Sequence, residues 1–282
     1  MTRVLITGAG GQLGVDCSLL YNAAGDDVTA TTRSDLDIAD RSAVLDIVDS
    51  VKPEVIINAG AWTAVDDCES DPDKAFRING LAVRHLNEAA AKSGAHLVHI
   101  STDYVFDGNK SGPYVEWDDT HPQSVYGHSK LAGECEMLPG NTVIRTSWVC
   151  GEHGHNMVKT ILGAIEKHPV LSFVDDQIGH PTFTADLATM VKRLADERRP
   201  GMFHITNAGA VSWFEFTQAV LEAAGEDPAR VKPISTADLD PPRPAHRPAN
   251  SVLDNAALRL SGIEPLRDFR EPLAELVAAL KG

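Results

Sequence analysis

Short, uninterrupted apolar runs alternate with amphipathic stretches through the first half of the chain. Val4–Thr7, Val28–Thr31, Val55–Ala61 and His96–Thr102 read as strands. Their apolar residues are consecutive rather than alternating, the pattern of parallel strands buried on both faces. Val15–Tyr21, Arg41–Val51 and Phe76–Lys92 carry helical periodicity, the second stopped near Pro53. Trp62–Asp66 starts a loop, and Asp103–Gly108 leaves the fourth strand as another. A polar, Pro-containing loop then leads to a helix holding Tyr126 and Lys130. Strand and helix in regular alternation predict an α/β fold with a doubly wound parallel sheet. Right-handed crossovers bring the C-terminal ends of all the strands to one side.

The second half is less regular. Val143–Val149 reads as a strand, Gly151–Gly154 as a loop, and Asn156–Glu166 as an amphipathic helix. Leu171–Val174 and Gly201–Asn207 read as strands, and Thr184–Asp196 as a helix with Thr184 as its N-cap. Ser212 caps a helix to Ala224, and Leu266–Leu280 closes the chain as another. We therefore expect a nucleotide-binding domain over residues 1–150. Residues 151–282 mainly form a smaller, discontinuous α/β substrate domain, with strands around 171–206 partly rejoining the first sheet.

Composition adds limits. With 282 residues, 43% hydrophobic and 23% charged, the chain is ordinary globular protein with ample core. Its 40 acidic and 25 basic residues give a net charge of −15, which argues against nucleic acid or anionic membrane as partners. No apolar run reaches the roughly 18 residues of a membrane span. Cysteines 17, 68, 135 and 150 show no zinc-site or CxxC spacing, so a reduced, cytoplasmic protein is expected. His153 and His155 lie in the Gly-rich loop and read as exposed side chains rather than metal ligands; no metal is expected.

The chemistry begins at Gly8-Ala9-Gly10-Gly11-Gln12-Leu13-Gly14, between the first strand and the first helix. In that context the glycines Gly8, Gly11 and Gly14 let the backbone approach a pyrophosphate, and the helix N-terminus offers free N–H groups to it. This predicts a Rossmann-like dinucleotide site. The second strand ends in Thr31-Thr32-Arg33, where a reader of the ribose 2′-hydroxyl would place a carboxylate. Arg33 can instead grip a 2′-phosphate, so NADPH is expected ahead of NADH. Asp37 and Ile38 fall near the adenine. The small residues Ala59, Gly60 and Ala61 leave room in the crevice at the end of the third strand.

Tyr126 and Lys130, four residues apart, share one helix face. An ammonium beside a phenol favours the phenolate, so the spacing predicts a Tyr126 pKa below the reference of about 10. By chance the pair occurs in many helices. Its weight comes from the strand ends carrying Gly11, Ala61 and Thr102, which the topology aims at the same crevice. Thr102 either shares the reacting oxygen with Tyr126 or caps its strand. The Pro-rich stretch Asp240–Pro248 is either a linker or, through Arg243 and Arg247, a grip on a pyrophosphate.

These residues resemble the extended short-chain dehydrogenase/reductase superfamily through the glycine turn, Ser101-Thr102 and Tyr126-x-x-x-Lys130. Longer segments look like the dTDP-4-dehydrorhamnose reductases: Asn58–Asp66, Ser101–Gly108, Arg145–Trp148, Asp176–Thr182 and Arg247–Ser251. The resemblance implies NADPH-dependent reduction of the C4 ketone of dTDP-4-dehydro-β-L-rhamnose. It implies that Gly11, Gln12, Leu13, Asp37, Ile38, Ala61, Trp62 and Thr63 line the dinucleotide site, that Thr102, Asp103, Tyr104 and Trp148 face the sugar, and that Tyr126 and Lys130 do the chemistry and also contact the cofactor, Lys130 through the nicotinamide ribose hydroxyls. Arg247 is the expected pyrophosphate ligand. Gly60 and Trp62 replace Ala and His of many members, and Asp16 stands near a glutamate through which some members dimerise around a metal. A monomer or a homodimer is expected. Another nucleotide-sugar reductase or epimerase, or a non-catalytic NADP-binding regulatory subunit, are the competing functions.

Overall fold

A computed structural model describes residues 1–281. The first half runs β1 (Arg3–Thr7), α1 (Gln12–Ala23), β2 (Asp27–Thr31), α2 (Arg41–Val51), β3 (Val55–Asn58), α3 (Val65–Ser70), α4 (Pro72–Phe76), a π-helical turn (Arg77–Leu81), α5 (Ala82–Ser93) and β4 (His96–Thr102). After a 3-10 turn and a long loop come α6 (Val125–Cys135), β5 (Thr142–Thr146), β6 (Val149–Cys150), α7 (Met157–Ile165), β7 (Leu171–Val174), β8 (Ile178–Gly179) and β9 (Thr182–Phe183). The chain ends with α8 (Thr184–Asp196), β10 (Gly201–His204), β11 (Val211–Ser212), α9 (Trp213–Ala223), β12 (Val231–Ile234), α10 (Ala256–Leu260) and α11 (Arg270–Lys281).

Six strands form one parallel sheet in the order β10-β5-β4-β3-β1-β2. The chain winds outward from β1 to β2, then restarts on the other side of β1 with β3. That reversal opens a crevice at the C-terminal strand ends. Strand side chains alternate between two cores. Val4, Ile6, Val55, Ile57 and Val98 pack with α1 and α8, while Leu5, Ile56 and Leu97 pack with α2 and α5. Each such fully buried aliphatic side chain contributes about 1.5–3 kcal/mol. A third core joins α7, α9 and α11 to Leu171 and Val231. Among the described residues no helix is long and apolar enough to cross a membrane.

Several expected boundaries shift, each for a local reason. β3 stops at Asn58, whose Oδ1 accepts from Thr7 Oγ1 (2.8 Å) and from the Gly60 N–H (3.2 Å), turning the chain before Ala61. The expected loop after Trp62 is helical from Val65, and the single helix expected over Phe76–Lys92 is broken by the π turn that carries Asn79. β5 ends at Thr146 because Trp148 takes a left-handed φ of 45°. β10 likewise ends at His204, short of the expected Asn207. β10 does join the main sheet, whereas β7 pairs with β12, a strand disguised by Pro233. α8 is capped by Phe183 without a side-chain bond, so Thr184 is a helical residue rather than the cap. α11 starts at Arg270, where Asp268 accepts from the Arg270 N–H at 2.9 Å, rather than at Leu266. Ser212 does cap α9, in a reciprocal capping box with Glu215.

Candidate active site

A cavity of about 460 Å³ lies over the crevice between β1 and β3. Gly8, Gly10 and Gly11 form its floor, Ala59, Gly60, Ala61 and Trp62 one wall, and Arg33, Asp37 and Ile38 the far rim. Gly8 has φ +70°, and a Cβ there would sit 2.5 Å from the Gly60 nitrogen, so the turn needs glycine on both counts. The N-cap of α1, Gly11, has no side chain to bond the first amides, and no carboxylate stands in the first turn. Those amides are therefore available to an anionic ligand.

The rim suits a phosphorylated ribose. Thr32, Arg33 and Ser34 line it, and the carboxylate close by, Asp35, is turned back onto Thr32, accepting from its N–H (2.9 Å) and hydroxyl (2.6 Å). Leu36, Ile38 and Ile78 give the apolar slot an adenine needs. Of the expected dinucleotide residues, Gln12, Leu13, Gly14, Thr31, Thr63, Tyr126 and Lys130 do not line the cavity. Thr31 is buried, donating its hydroxyl to the Ile6 carbonyl. Gly14 packs against the carbonyl of Gly8. Gln12 reaches the other way, accepting from Asn156 Nδ2 at 3.1 Å. Gly10, Thr32, Ser34, Leu36 and Ile78 line it instead; turn and flanking positions gave little sequence signal for them.

Tyr126 shares an apolar cluster with Trp62 and packs edge-on to Tyr104, with ring centroids 5.4 Å apart. It is buried, and burial raises the pKa of its phenol above the ordinary value; contact with the Thr102 hydroxyl acts the other way. The lowering expected from Lys130 is thus overturned: loss of solvent dominates, and the Lys130 ammonium is turned to the Ile100 carbonyl. Lys130 is itself 2% exposed and donates from Nζ to the Ile100 carbonyl at 2.6 Å. Burial lowers its pKa to about 8, with Glu134 opposing. His99, buried nearby, is held well below its ordinary pKa by burial and by Lys130, so it adds no second cation. Thr102 donates to Asp103 Oδ1 at 2.9 Å, and burial lifts Asp103 to about 6.

Next to Tyr104 lies a second, narrow cleft of about 10 Å³. It brings Tyr104, Trp148 and Arg247 together, and adds Gln177, Trp213 and Ser251. Arg247 is not free there: Asp66 accepts two hydrogen bonds from it. Asn79 holds the cavity wall, accepting from the Trp62 N–H (2.8 Å) and donating to the Trp62 carbonyl (3.0 Å) and to Ser129 Oγ (3.0 Å). His153 lies 3.7 Å from Asp16, and among the described residues no group of three or more His, Cys, Asp or Glu could hold a metal.

Comparison with known proteins matches this architecture over its full length. The family described as the RmlD substrate binding domain matches residues 1–281. The dTDP-4-dehydrorhamnose reductase of Aggregatibacter actinomycetemcomitans is 42% identical, covering 99% of each chain. A crystal structure of the Clostridium acetobutylicum dTDP-4-dehydrorhamnose reductase is 41% identical and superposes with a TM-score of 0.95, covering 99% of both chains. That of the Bacillus anthracis enzyme in complex with NADP is 36% identical with a TM-score of 0.94, again covering 99% of both. Sequence and fold agree across the whole length, and the chain belongs to the dTDP-4-dehydrorhamnose reductase family.

Proposed function

We propose that this chain uses NADPH to reduce the C4 ketone of dTDP-4-dehydro-β-L-rhamnose, giving dTDP-β-L-rhamnose. The observation that carries the reading is the position of Tyr126. It shares one apolar cluster with Trp62, on the wall of the dinucleotide cavity, and with Tyr104, on the wall of the second cleft. NADPH, when bound, supplies the hydride. As charge grows on the ketone oxygen, Tyr126 O–H donates the proton that neutralises it. Burial keeps that phenol protonated at neutral pH, so the proton is present when it is required. The same burial makes the phenol a reluctant acid. Lys130, largely charged at pH 7 with a pKa of about 8, stabilises the phenolate left behind. Thr102, fixed by Asp103, orients the oxygen between them.

Tyr104, Trp148 and Arg247 then hold the nucleotide sugar. Four free cysteines fit the reducing cytosol as location, and three of them, Cys17, Cys68 and Cys150, are made inert by burial, which pushes their thiols up to about 12, 11 and 12. The chain acts as a monomer or homodimer. Following NADPH absorbance with dTDP-4-dehydro-L-rhamnose tests the proposal. Consumption is expected, and Tyr126→Phe is expected to slow turnover by about 10²–10⁴-fold while NADPH still binds. Wild-type turnover in that variant overturns the assignment.

A further inference from the structure

The six-residue helix α3 carries two carboxylates that tie it to different parts of the molecule. Asp66 reaches the Pro-rich strap. It accepts from Arg247 Nη1 and Nη2 at 2.9 and 2.8 Å and from the Ala245 N–H at 3.1 Å, with Arg243 at 3.7 Å. Glu69, one turn on, accepts from the Val125 N–H at 2.8 Å. Val125 is the first residue of α6, and Tyr126 is the next.

That hydrogen bond fills a position the helix leaves open. The first amides of any α-helix lack partners within it. In α6 the Ser124 side chain accepts from Gly127 N–H and the Ser124 carbonyl from His128 N–H. Glu69, 56 residues away in sequence, supplies the acceptor for Val125, and its negative charge suits a helix N-terminus. On the far side, α6 has no slack: a Cβ on Gly127 would lie 2.3 Å from the Tyr104 carbonyl oxygen. Cys68, next to Glu69, and Ala75 of α4 pack with Tyr126 in one apolar cluster. The first turn of α6 is therefore clamped between Tyr104 and α3.

We propose that α3 couples the strap to the acid: Asp66 registers the position of Arg247, and Glu69 sets the reach of Tyr126 through the N-terminus of α6. Both are positioning residues, and the proposal rests on the reading of Tyr126 as proton donor and Arg247 as a substrate ligand. A nucleotide diphosphate that draws on Arg247 competes with Asp66 for the same guanidinium, so its arrival changes the load on α3. Binding on the substrate side is thereby transmitted to the geometry of the proton donor, where a shift of about 1 Å is worth on the order of a hundredfold in rate.

The test is a double-mutant cycle read in kcat and KM separately, with NADPH affinity and thermal midpoint measured alongside. Glu69→Ala is expected to lower kcat about tenfold or more with little change in NADPH Kd. Glu69→Gln keeps an oxygen acceptor and restores most of that rate. Asp66→Asn is expected to lower kcat while also lowering KM for the nucleotide sugar, because the carboxylate that competes for Arg247 is gone, and in the Glu69→Ala background it changes KM alone. Additive effects on kcat, or a Glu69→Ala variant that loses thermal stability without rescue by Gln, overturn the coupling. Tyr126→Phe belongs in the same series. If it is inactive while Glu69→Ala turns over like wild type, the coupling fails and the proposed reaction stands; if it is fully active, both fall.

Discussion

The indole of Trp148 lies flat on that of Trp213, with ring centroids 3.6 Å apart and planes 10° from parallel. The stack joins the turn after β5 to the first residue of α9, so it ties the main sheet to the third core. It also explains how Trp148 tolerates φ 45°, a conformation that costs an L-residue about 1–2 kcal/mol. Stacking of two large rings returns about 0.5–1.5 kcal/mol beyond their buried area.

That relationship makes Gly179 a sensitive position. A Cβ there would fall 2.8 Å from the Trp148 ring. Gly179→Ala is expected to push the indole out of place and raise KM for the nucleotide sugar about tenfold, the equivalent of 1.4 kcal/mol. NADPH affinity should hold, because Gly179 does not line the dinucleotide cavity. Steady-state kinetics with each substrate varied in turn check this. An equal loss of NADPH affinity would show that the stack supports the whole crevice rather than the sugar side.

Lys130 predicts the basic limb of the pH–rate profile. Its pKa of about 8 is lowered by burial, so the cation proposed to stabilise the Tyr126 phenolate is lost as pH rises through 8. The rate constant kcat is expected to fall tenfold per pH unit above that point. An unburied lysine would hold the plateau to about pH 10. A profile flat to pH 10 in the enzyme–NADPH complex contradicts the assignment. Lys130→Met should remove the limb altogether, at a rate lower by about 10²-fold or more.

The sheet and the dinucleotide crevice were readable because their signals are local. The runs Val4–Thr7 and His96–Thr102 are buried on both faces, and burial on both faces demands continuous apolar sequence. Gly8 belongs to a turn whose glycine spacing is local, although the close approach that also demands glycine there comes from Gly60. Asp66, Glu69 and Asn79 were not readable as site residues. Their partners lie 181, 56 and 17 residues away, and a carboxylate on a short polar helix resembles a solvated one until its partner is in view. The direction of the Tyr126 pKa was misjudged for a related reason. Helical spacing reveals that Lys130 is near, but only packing reveals that water is gone.

Arg145 shows the same distinction between motif and role. It lies under the sheet, 5% exposed, giving Glu134 two hydrogen bonds of 2.9 and 2.7 Å, and Glu134 is 4% exposed. Ser101 donates to the same carboxylate at 2.5 Å. Removing one partner of such a pair strands a buried charge, at a cost of about 3–5 kcal/mol. Arg145→Met is therefore expected to lower unfolding free energy by that amount in urea. Adding Glu134→Leu should recover most of the loss, since the pair replaced together leaves no uncompensated charge. No recovery in the double variant would mean that Arg145 stabilises through packing on Phe106, whose ring lies 5.0 Å away, rather than through Glu134.

Asp103 gives a stability prediction of opposite sign to the usual carboxylate. It is 2% exposed, Oδ2 has no hydrogen-bond partner, and burial raises its pKa to about 6. In the unfolded chain the value is about 3.9, so between pH 4 and 6 the folded state binds more protons than the unfolded state. Stability contributed by this group is then present at low pH and lost as pH rises through 6. The difference of about 2 units corresponds to about 3 kcal/mol of destabilisation at pH 7. Asp103→Asn removes the titration, so the stability of the variant relative to wild type should rise by about 2 kcal/mol between pH 4 and pH 7. Paired urea titrations at the two values measure it, and the comparison cancels the titration of every other group. A difference independent of pH would mean that the carboxylate is solvated well enough to keep its ordinary pKa. The same variant should lose turnover at both pH values, because Thr102 donates to Asp103 and an amide group is free to present its nitrogen there instead.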